Sequence, residues 1–178
     1  MSLEQEVELI RRFRIFSKLP PAKQKLLCFS SERLTYAAGQ ILFEKGTPGD
    51  ACYVVIEGTM EIWVMLPNDI RHVIAVMGSN EIVGEIAIFC NGPRTANATA
   101  MTRLEVLRIS AEMLRSVVRE NPDAAIELIR ILAERLANTT EHLTNLSIPA
   151  RECAGWQGVN ARFRLAATRG FGRVARSL

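Results

Sequence analysis

Apolar and polar residues follow three different patterns along this chain. Over residues 4–16, apolar side chains recur at helical spacing among charged ones, and Pro20 and Pro21 suit the first turn of a second short helix that Ser17 caps. From Leu34 onward, glycines separate short apolar and β-branched runs, which is typical of a β-sandwich or barrel. The predicted strands occupy residues 41–43, 53–56, 60–64, 72–76, 98–101 and 105–109, with a hairpin tip at 66–70.

The pattern becomes helical again at Ser110. Ser110 resembles a helix cap, and Asn121 before Pro122 marks a second helix start that continues to about Leu146. Along this helix one seam returns at alternating three- and four-residue steps, formed by Ile129, Leu132, Leu136, Thr139, Leu143 and Leu146. Such a seam either packs along its own domain or pairs with a second copy, and its regularity favours a homodimer through residues 121–146.

No period is sustained after Ser147. Residues 147–178 carry six Arg against one Glu, whereas residues 1–146 carry 16 Lys and Arg against 18 Asp and Glu. A basic segment can contact nucleic acid, but without a recognition helix it binds at most non-specifically and in a salt-sensitive way. We therefore expect four parts: N-terminal helices (1–30), a β-rich domain (31–120), a long helix (121–146) and a basic, poorly ordered tail (147–178).

Composition narrows the class of protein. The 178 residues are 48% apolar and 23% charged, which is ordinary for a globular domain, and no apolar run approaches the roughly 20 residues of a membrane helix. The polar, acidic N-terminus does not resemble a secretory signal, so we expect a cytoplasmic protein with no membrane partner. Four scattered cysteines without a CxxC pair argue against a metal site, and neither His72 nor His142 has an evident nucleophile partner, which argues against an enzyme.

The most informative chemistry lies in residues 83–89 and 93–96. This stretch combines a glycine turn at Gly84, a carboxylate at Glu85, a one-turn helix and a guanidinium at Arg94. The start of a helix offers free N–H donors to an anion, and an arginine fork matches two phosphate oxygens. A glutamate can accept from a ribose hydroxyl. These groups suit a sugar that carries a phosphate, although Glu85 and Arg94 alone could also form an ordinary surface ion pair.

The order of helix, β-barrel, this motif and long helix resembles the cyclic-nucleotide-binding domain over roughly residues 13–146. Supporting positions are 39–43, 46, 49–50 and 53–58, which are turn glycines and barrel strands in that family. The resemblance implies an α+β fold, in which a β-roll or jelly-roll barrel is flanked by N-terminal helices and a long C-terminal dimerisation helix. It also implies a cyclic nucleotide, either cAMP or cGMP, as ligand, with no other cofactor.

The family's phosphate-binding cassette implies a role for each residue that matches it. Gly84 lets the backbone approach the ribose, Glu85 accepts from the ribose 2′-OH, and Arg94 pairs with the exocyclic phosphate oxygens. The remaining residues open the short helix (Ile86, Ala87), contribute a hydroxyl or N–H (Thr95) and leave room for the ligand (Ala96).

Within this family the chain most resembles the bacterial cyclic-AMP receptor, or catabolite activator, group. In that group two adjacent hydroxyl residues on the dimer helix meet the adenine amino group, and Thr139 and Thr140 occupy those positions, unless they are simply a surface pair. They favour cAMP, whereas Thr95 weakly favours cGMP. The group continues into a winged helix-turn-helix that residues 147–178 do not match, so we expect a frameshifted, truncated or degenerate tail.

The resemblance implies a non-enzymatic sensor in which ligand binding shifts the long helix and its dimer. Three alternatives remain open at this stage. The chain is a transcription regulator that uses its basic tail on DNA, a module that acts through a partner protein, or a member that senses another ligand or none.

Overall fold

The computed structural model describes residues 3–67 and 69–146. The expectations for residues 147–178, namely a poorly ordered tail with no match to a winged helix-turn-helix, therefore lie outside the described residues. The chain divides into two compact units, Met1–Arg130 and Ile131–Leu178. The first unit contains both sheets and the candidate site. The described part of the second unit is the C-terminal portion of one long helix.

Thirteen elements make up the described part of the chain. The helices are α1 (Leu3–Arg12), α2 (Pro21–Ser30), α3 (Glu85–Phe89), α4 (Ala111–Glu120) and α5 (Pro122–Leu146). The strands are β1 (Glu32–Tyr36), β2 (Ile41–Phe43), β3 (Ala51–Glu57), β4 (Met60–Leu66), β5 (Ile70–Met77), β6 (Ile82–Val83), β7 (Asn97–Ala100) and β8 (Leu104–Ser110).

The strands form two four-stranded antiparallel sheets, ordered β1-β8-β3-β6 and β2-β7-β4-β5. The predicted α+β jelly-roll class, with flanking helices and a long C-terminal helix, is confirmed. One apolar core joins the two sheets, with fully buried Val55 and Val106 from the first and Met60 and Ala98 from the second. Burying such side chains stabilises the domain by about 1.5–3 kcal/mol for each large one.

The sequence predicts most of these strands but misses two. β1 pairs along its full length with β8, from Glu32 opposite Arg108 to Tyr36 opposite Leu104. Its sequence is largely polar because it lies at the edge of the sheet and most of it is exposed or half-buried. β6 is only two residues long, and its pairing with β3 is what makes it a strand.

The structure tests two of the three predicted helix caps. Ser17 does not cap α2: its hydroxyl donates to the carbonyl of Arg14 at 2.9 Å, and Pro20 precedes the helix without a side-chain bond. Asn121 directly precedes α5, and its side-chain nitrogen donates to the carbonyl of Val117 at 2.8 Å, at the end of α4. Its cap on α5 stays a prediction. The predicted cap at Ser110 is confirmed, since its hydroxyl accepts from the Met113 N–H at 3.2 Å.

Several apolar side chains of α5 are exposed in the single chain. Ile126 and Ile129, in the first unit, are 56% and 65% exposed, and Leu136, in the second, is 69% exposed. Ile129 and Leu136 belong to the predicted seam. No helix among the described residues has the length and apolar character needed to cross a membrane.

Candidate functional site

Gly84 turns the chain from β6 into α3. It precedes the helix in the left-handed region, with φ +87° and ψ 0°, a conformation that glycine adopts without a steric penalty. A Cβ at this position would lie 2.3 Å from Nη1 of Arg94 and 3.3 Å from the carbonyl oxygen of Ala51. Gly84 is therefore required both by the backbone angle and by the close approach of Arg94.

Arg94 lies beneath this turn and is only 2% exposed. Nη1 donates to the carbonyl oxygen of Gly84 at 3.1 Å, and the guanidinium stacks 4.4 Å from the ring centroid of Phe43 and 5.8 Å from that of Tyr53. Those two rings are themselves stacked, with centroids 5.8 Å apart. The aromatic pair thus fixes the plane of the guanidinium, and it supplies a cation–π attraction that does not depend on a counter-ion.

The carboxylate of Asp50 bridges two arginines. Oδ1 lies 3.3 Å from Nη2 of Arg94, and Oδ2 lies 2.7 Å from Nη2 of Arg108. The Asp50 side chain is 60% exposed, so solvent weakens both ion pairs. Among the described residues, Nε of Arg94 is buried without a hydrogen-bond acceptor. Within the part of the chain that the structure describes, the Arg94 guanidinium is therefore buried with one N–H lacking an acceptor, and its ion-pair partner Asp50 is largely in solvent.

The loop between β2 and β3 is fastened to the segment that carries Arg94. The Gly46 N–H donates to the Arg94 carbonyl, and the Arg94 N–H donates to the Thr47 carbonyl, both at 2.8 Å. Close packing also joins this loop to α3, because a Cβ on Gly49 would lie 2.5 Å from the Cβ of Ala87. The backbone on both sides of Arg94 is consequently fixed before any ligand arrives.

Glu85 is the first residue of α3 and is 1% exposed. Burial raises the pKa of the neighbouring Cys52 thiol, and the Glu85 carboxylate raises it further. Cys52 therefore stays neutral at physiological pH. Because Glu85 and Arg94 are both buried, they do not form the surface ion pair that the sequence left open.

The other predicted site residues differ in exposure. Ile86 is 44% exposed and Thr95 is exposed, whereas Ala87 and Ala96 are buried. The structure therefore brings Gly84, Glu85, Ile86 and Ala87 of the turn and α3 together with Arg94.

Thr139 and Thr140 lie in the second unit, on exposed positions of α5. Their hydroxyls donate to carbonyls one turn back, at Arg135 (2.8 Å) and Leu136 (2.9 Å). Their predicted contact with a base remains a prediction.

Sequence reasoning missed the partners of Arg94. Gly49-Asp50 signals only a turn, and Phe43 and Tyr53 read as strand positions. No local pattern indicates that an aspartate, two rings and an arginine from distant segments meet. A buried arginine needs partners, and that general rule is the one signal that predicts such a cluster.

Comparison with known proteins identifies the family of this chain. The family model described as the cyclic nucleotide-binding domain matches residues 33–121, about half of the chain. The chain belongs to this family. The matched range contains the whole cassette and seven of the eight described strands completely.

Relatives within the cyclic nucleotide-binding family include transcription regulators. The chain is 31% identical over 147 residues to the CRP-like cAMP-activated global transcriptional regulator of Mycobacterium tuberculosis, covering 81% of this chain and 66% of that protein. Among solved structures, it is 34% identical to the N-terminal domain of a transcriptional regulator from Streptomyces coelicolor, with a TM-score of 0.57, covering 75% of this chain and 95% of that one. It is 28% identical to the Thermus thermophilus catabolite activator protein, with a TM-score of 0.65, covering 75% and 63%. The chain thus spans about two thirds of the length of its full-length relatives.

Proposed function

We propose that this cyclic nucleotide-binding domain is a non-enzymatic sensor in which Arg94 pairs with the phosphate of the ligand. The observation that carries the proposal is the burial of the Arg94 guanidinium, with one N–H that lacks an acceptor among the described residues. A buried charge is costly unless it is paired and hydrogen-bonded. An anionic phosphate supplies both the charge and the acceptors.

Glu85 and the turn at Gly84 complete the proposed site. A carboxylate at the first residue of α3 accepts from the ribose 2′-OH, and the absence of a side chain on Gly84 lets the sugar approach the backbone. Ile86 and Ala87 direct their N–H groups toward the phosphate, while Thr95 and Ala96 border it next to Arg94. Burial of Glu85 supports this role, because a desolvated acceptor discriminates strongly against a ligand that lacks its hydroxyl.

We propose cAMP rather than cGMP as the ligand. Thr139 and Thr140 support this preference through their match to the catabolite activator group, in which such hydroxyls meet the adenine amino group. The M. tuberculosis relative is named as cAMP-activated.

Isothermal titration calorimetry of the full chain tests both parts of the proposal. We expect cAMP to bind more tightly than cGMP, and 2′-deoxy-cAMP to bind about 10- to 100-fold more weakly than cAMP, because a desolvated carboxylate then loses a charge-assisted bond. Chromatography of the recovered ligand checks that the protein leaves it unchanged. No heat with either cyclic nucleotide would refute the proposed function, and equal affinity for 2′-deoxy-cAMP would refute the role of Glu85.

We further propose a homodimer through residues 121–146. The exposed apolar seam on α5 supports it, because a second copy would cover side chains such as Ile129 and Leu136. Sedimentation velocity should give twice the 19.8 kDa chain mass. Leu136→Asp should shift the species to the monomer, whereas Ala137→Asp, next to it on an exposed position outside the seam, should leave the dimer intact. A monomeric native chain contradicts this proposal.

Transcription regulation is a second candidate function, and the names of the relatives favour it. From residues 147–178 alone we expect at most non-specific, salt-sensitive contact with DNA. A gel shift at physiological salt, with and without cAMP, separates the sensor from the transcription regulator. A cAMP-dependent shift of one DNA probe, but not of a probe with the scrambled sequence, favours the regulator.

A further inference from the structure

A side chain from α4 holds the C-terminal end of α3. Nη2 of Arg115 donates to the carbonyl oxygen of Ile88 and to Oδ1 of Asn91, both at 2.8 Å. One guanidinium therefore ties together the end of the cassette helix and the turn that follows it. Ile88 is fully buried, so its carbonyl needs a partner within the protein.

Backbone N–H groups bond to the carbonyls of the two residues before Ile88, whereas a side chain bonds to that of Ile88 itself. The Ile86 carbonyl accepts from the Cys90 N–H at 2.8 Å, and the Ala87 carbonyl accepts from the Gly92 N–H at 3.1 Å. Arg115 supplies the next bond in this series. A cation at the C-terminal end of a helix is also favourable electrostatically.

The turn that Arg115 holds leads directly to Arg94, the residue proposed to pair with the phosphate. Asn91 has φ +49°, in the left-handed region, where a non-glycine residue is strained unless its surroundings fix it. Three residues later comes Arg94, and between them Pro93 forms an isolated bridge with Pro48 of the β2–β3 loop. Fixing the turn at Asn91 therefore fixes the approach of the chain to Arg94.

We infer that Arg115 is a positioning residue that couples ligand binding at the cassette to α4. The inference rests on the proposed function, since it concerns how the same site transmits its occupancy. When a phosphate binds Arg94 and the start of α3, the turn becomes more rigid, and the two hydrogen bonds from Nη2 of Arg115 transfer that rigidity to α4. All residues of this connection lie in the first compact unit.

Three variants of the full chain test the coupling. Arg115→Met removes the guanidinium that makes both bonds but keeps an unbranched apolar stem. Arg115→Lys keeps the charge and a nitrogen that can donate, as Nη2 of Arg115 does, but its side chain is shorter and lacks the planar guanidinium. Arg119→Met, one turn further along α4 on an exposed position, is the matched control.

Titration with cAMP and hydrogen exchange are then measured on each variant. For Arg115→Met we expect the Kd to rise about 5- to 20-fold, within the range of couplings between linked sites. Arg115→Lys should recover part of this loss, and Arg119→Met should bind as the native chain does. At saturating cAMP, amides of both α3 and α4 should be protected in the native chain, whereas Arg115→Met should keep the protection of α3 and lose that of α4.

A merely structural role for Arg115 would lower stability in both states but leave the ligand-dependent protection of α4 unchanged at saturation. That result, or a native Kd for Arg115→Met, overturns the inference while leaving the proposed function intact. A native chain that does not bind cAMP overturns the proposed function itself, and the inference with it.

Discussion

Arg94→Met should weaken cAMP binding by roughly 100-fold or more while leaving the unliganded protein as stable as the native one, or more stable. Charge-assisted hydrogen bonds contribute about 1.5–3 kcal/mol each, and an arginine fork can make two of them to a phosphate. In the unliganded chain the same guanidinium is 2% exposed, and the carboxylate that pairs with it is largely in solvent. Removing one partner of a buried ion pair destabilises a protein because the other charge stays buried, but Asp50 is 60% exposed and can be hydrated once Arg94 is replaced. The methionine would pack against the stacked rings of Phe43 and Tyr53.

Calorimetry gives the affinity, and thermal unfolding without ligand gives the stability. Arg71→Met is the matched control, because Arg71 also stacks over an aromatic ring, at 4.3 Å from the centroid of Trp63, and also pairs with a carboxylate, that of Glu61. It lies on the β4–β5 hairpin, and its side chain is 45% exposed. The control should bind cAMP with native affinity. Native affinity in Arg94→Met would remove Arg94 from the site, and a large fall in its unfolding temperature would mean that Arg94 is structural.

Local patterns in the sequence predict the parts of this molecule that depend on local physics. The run Tyr53–Ile56 is apolar because β3 lies inside its sheet, where both faces are covered, and glycines such as Gly58 mark real turns. The cap at Ser110 follows from the geometry of the first helical turn. The edge strand β1 is different, because its pairing with β8 decides its structure and its own composition does not.

The candidate site likewise combines residues whose proximity the sequence predicts with residues whose contacts depend on the whole fold. Gly84, Glu85 and Arg94 stand in a short segment, so their spacing in the sequence already predicts their proximity. Asp50 and Arg115 come from segments 44 and 21 residues away from Arg94 in the chain, and only the folded sheets and helices bring their contacts about. Their charge is visible in the sequence, but their partners are not. The Ser17 cap was predicted wrongly because a serine near a helix start can equally bond to the preceding turn, as its bond to Arg14 does.

Gly84→Ala should weaken cAMP binding by about 10-fold or more and lower the free energy of unfolding by at least about 1 kcal/mol. The loss of stability follows from φ +87°, since an alanine in the left-handed region costs about 1–2 kcal/mol. The loss of binding has another cause. The new Cβ would lie 2.3 Å from Nη1 of Arg94, so the guanidinium must leave the carbonyl of Gly84 and the place where the phosphate is proposed to meet it. A displacement of even about 1 Å is costly for a geometrically specific interaction.

Gly39→Ala separates these two causes. Gly39 has nearly the same backbone angle, φ +84°, but a Cβ there meets no atom of the described residues within 4 Å. It should therefore show the loss of stability alone, with a native Kd.

The double variant Gly84→Ala/Arg94→Met gives the decisive comparison, because two substitutions that act through one guanidinium are not additive. If Gly84→Ala acts by displacing Arg94, it should weaken cAMP binding far less in the Arg94→Met background than in the native chain. Equal effects of Gly84→Ala in both backgrounds would mean that Gly84 contacts the ligand independently of Arg94. Equal losses of binding in Gly39→Ala and Gly84→Ala would mean that backbone strain alone causes both losses.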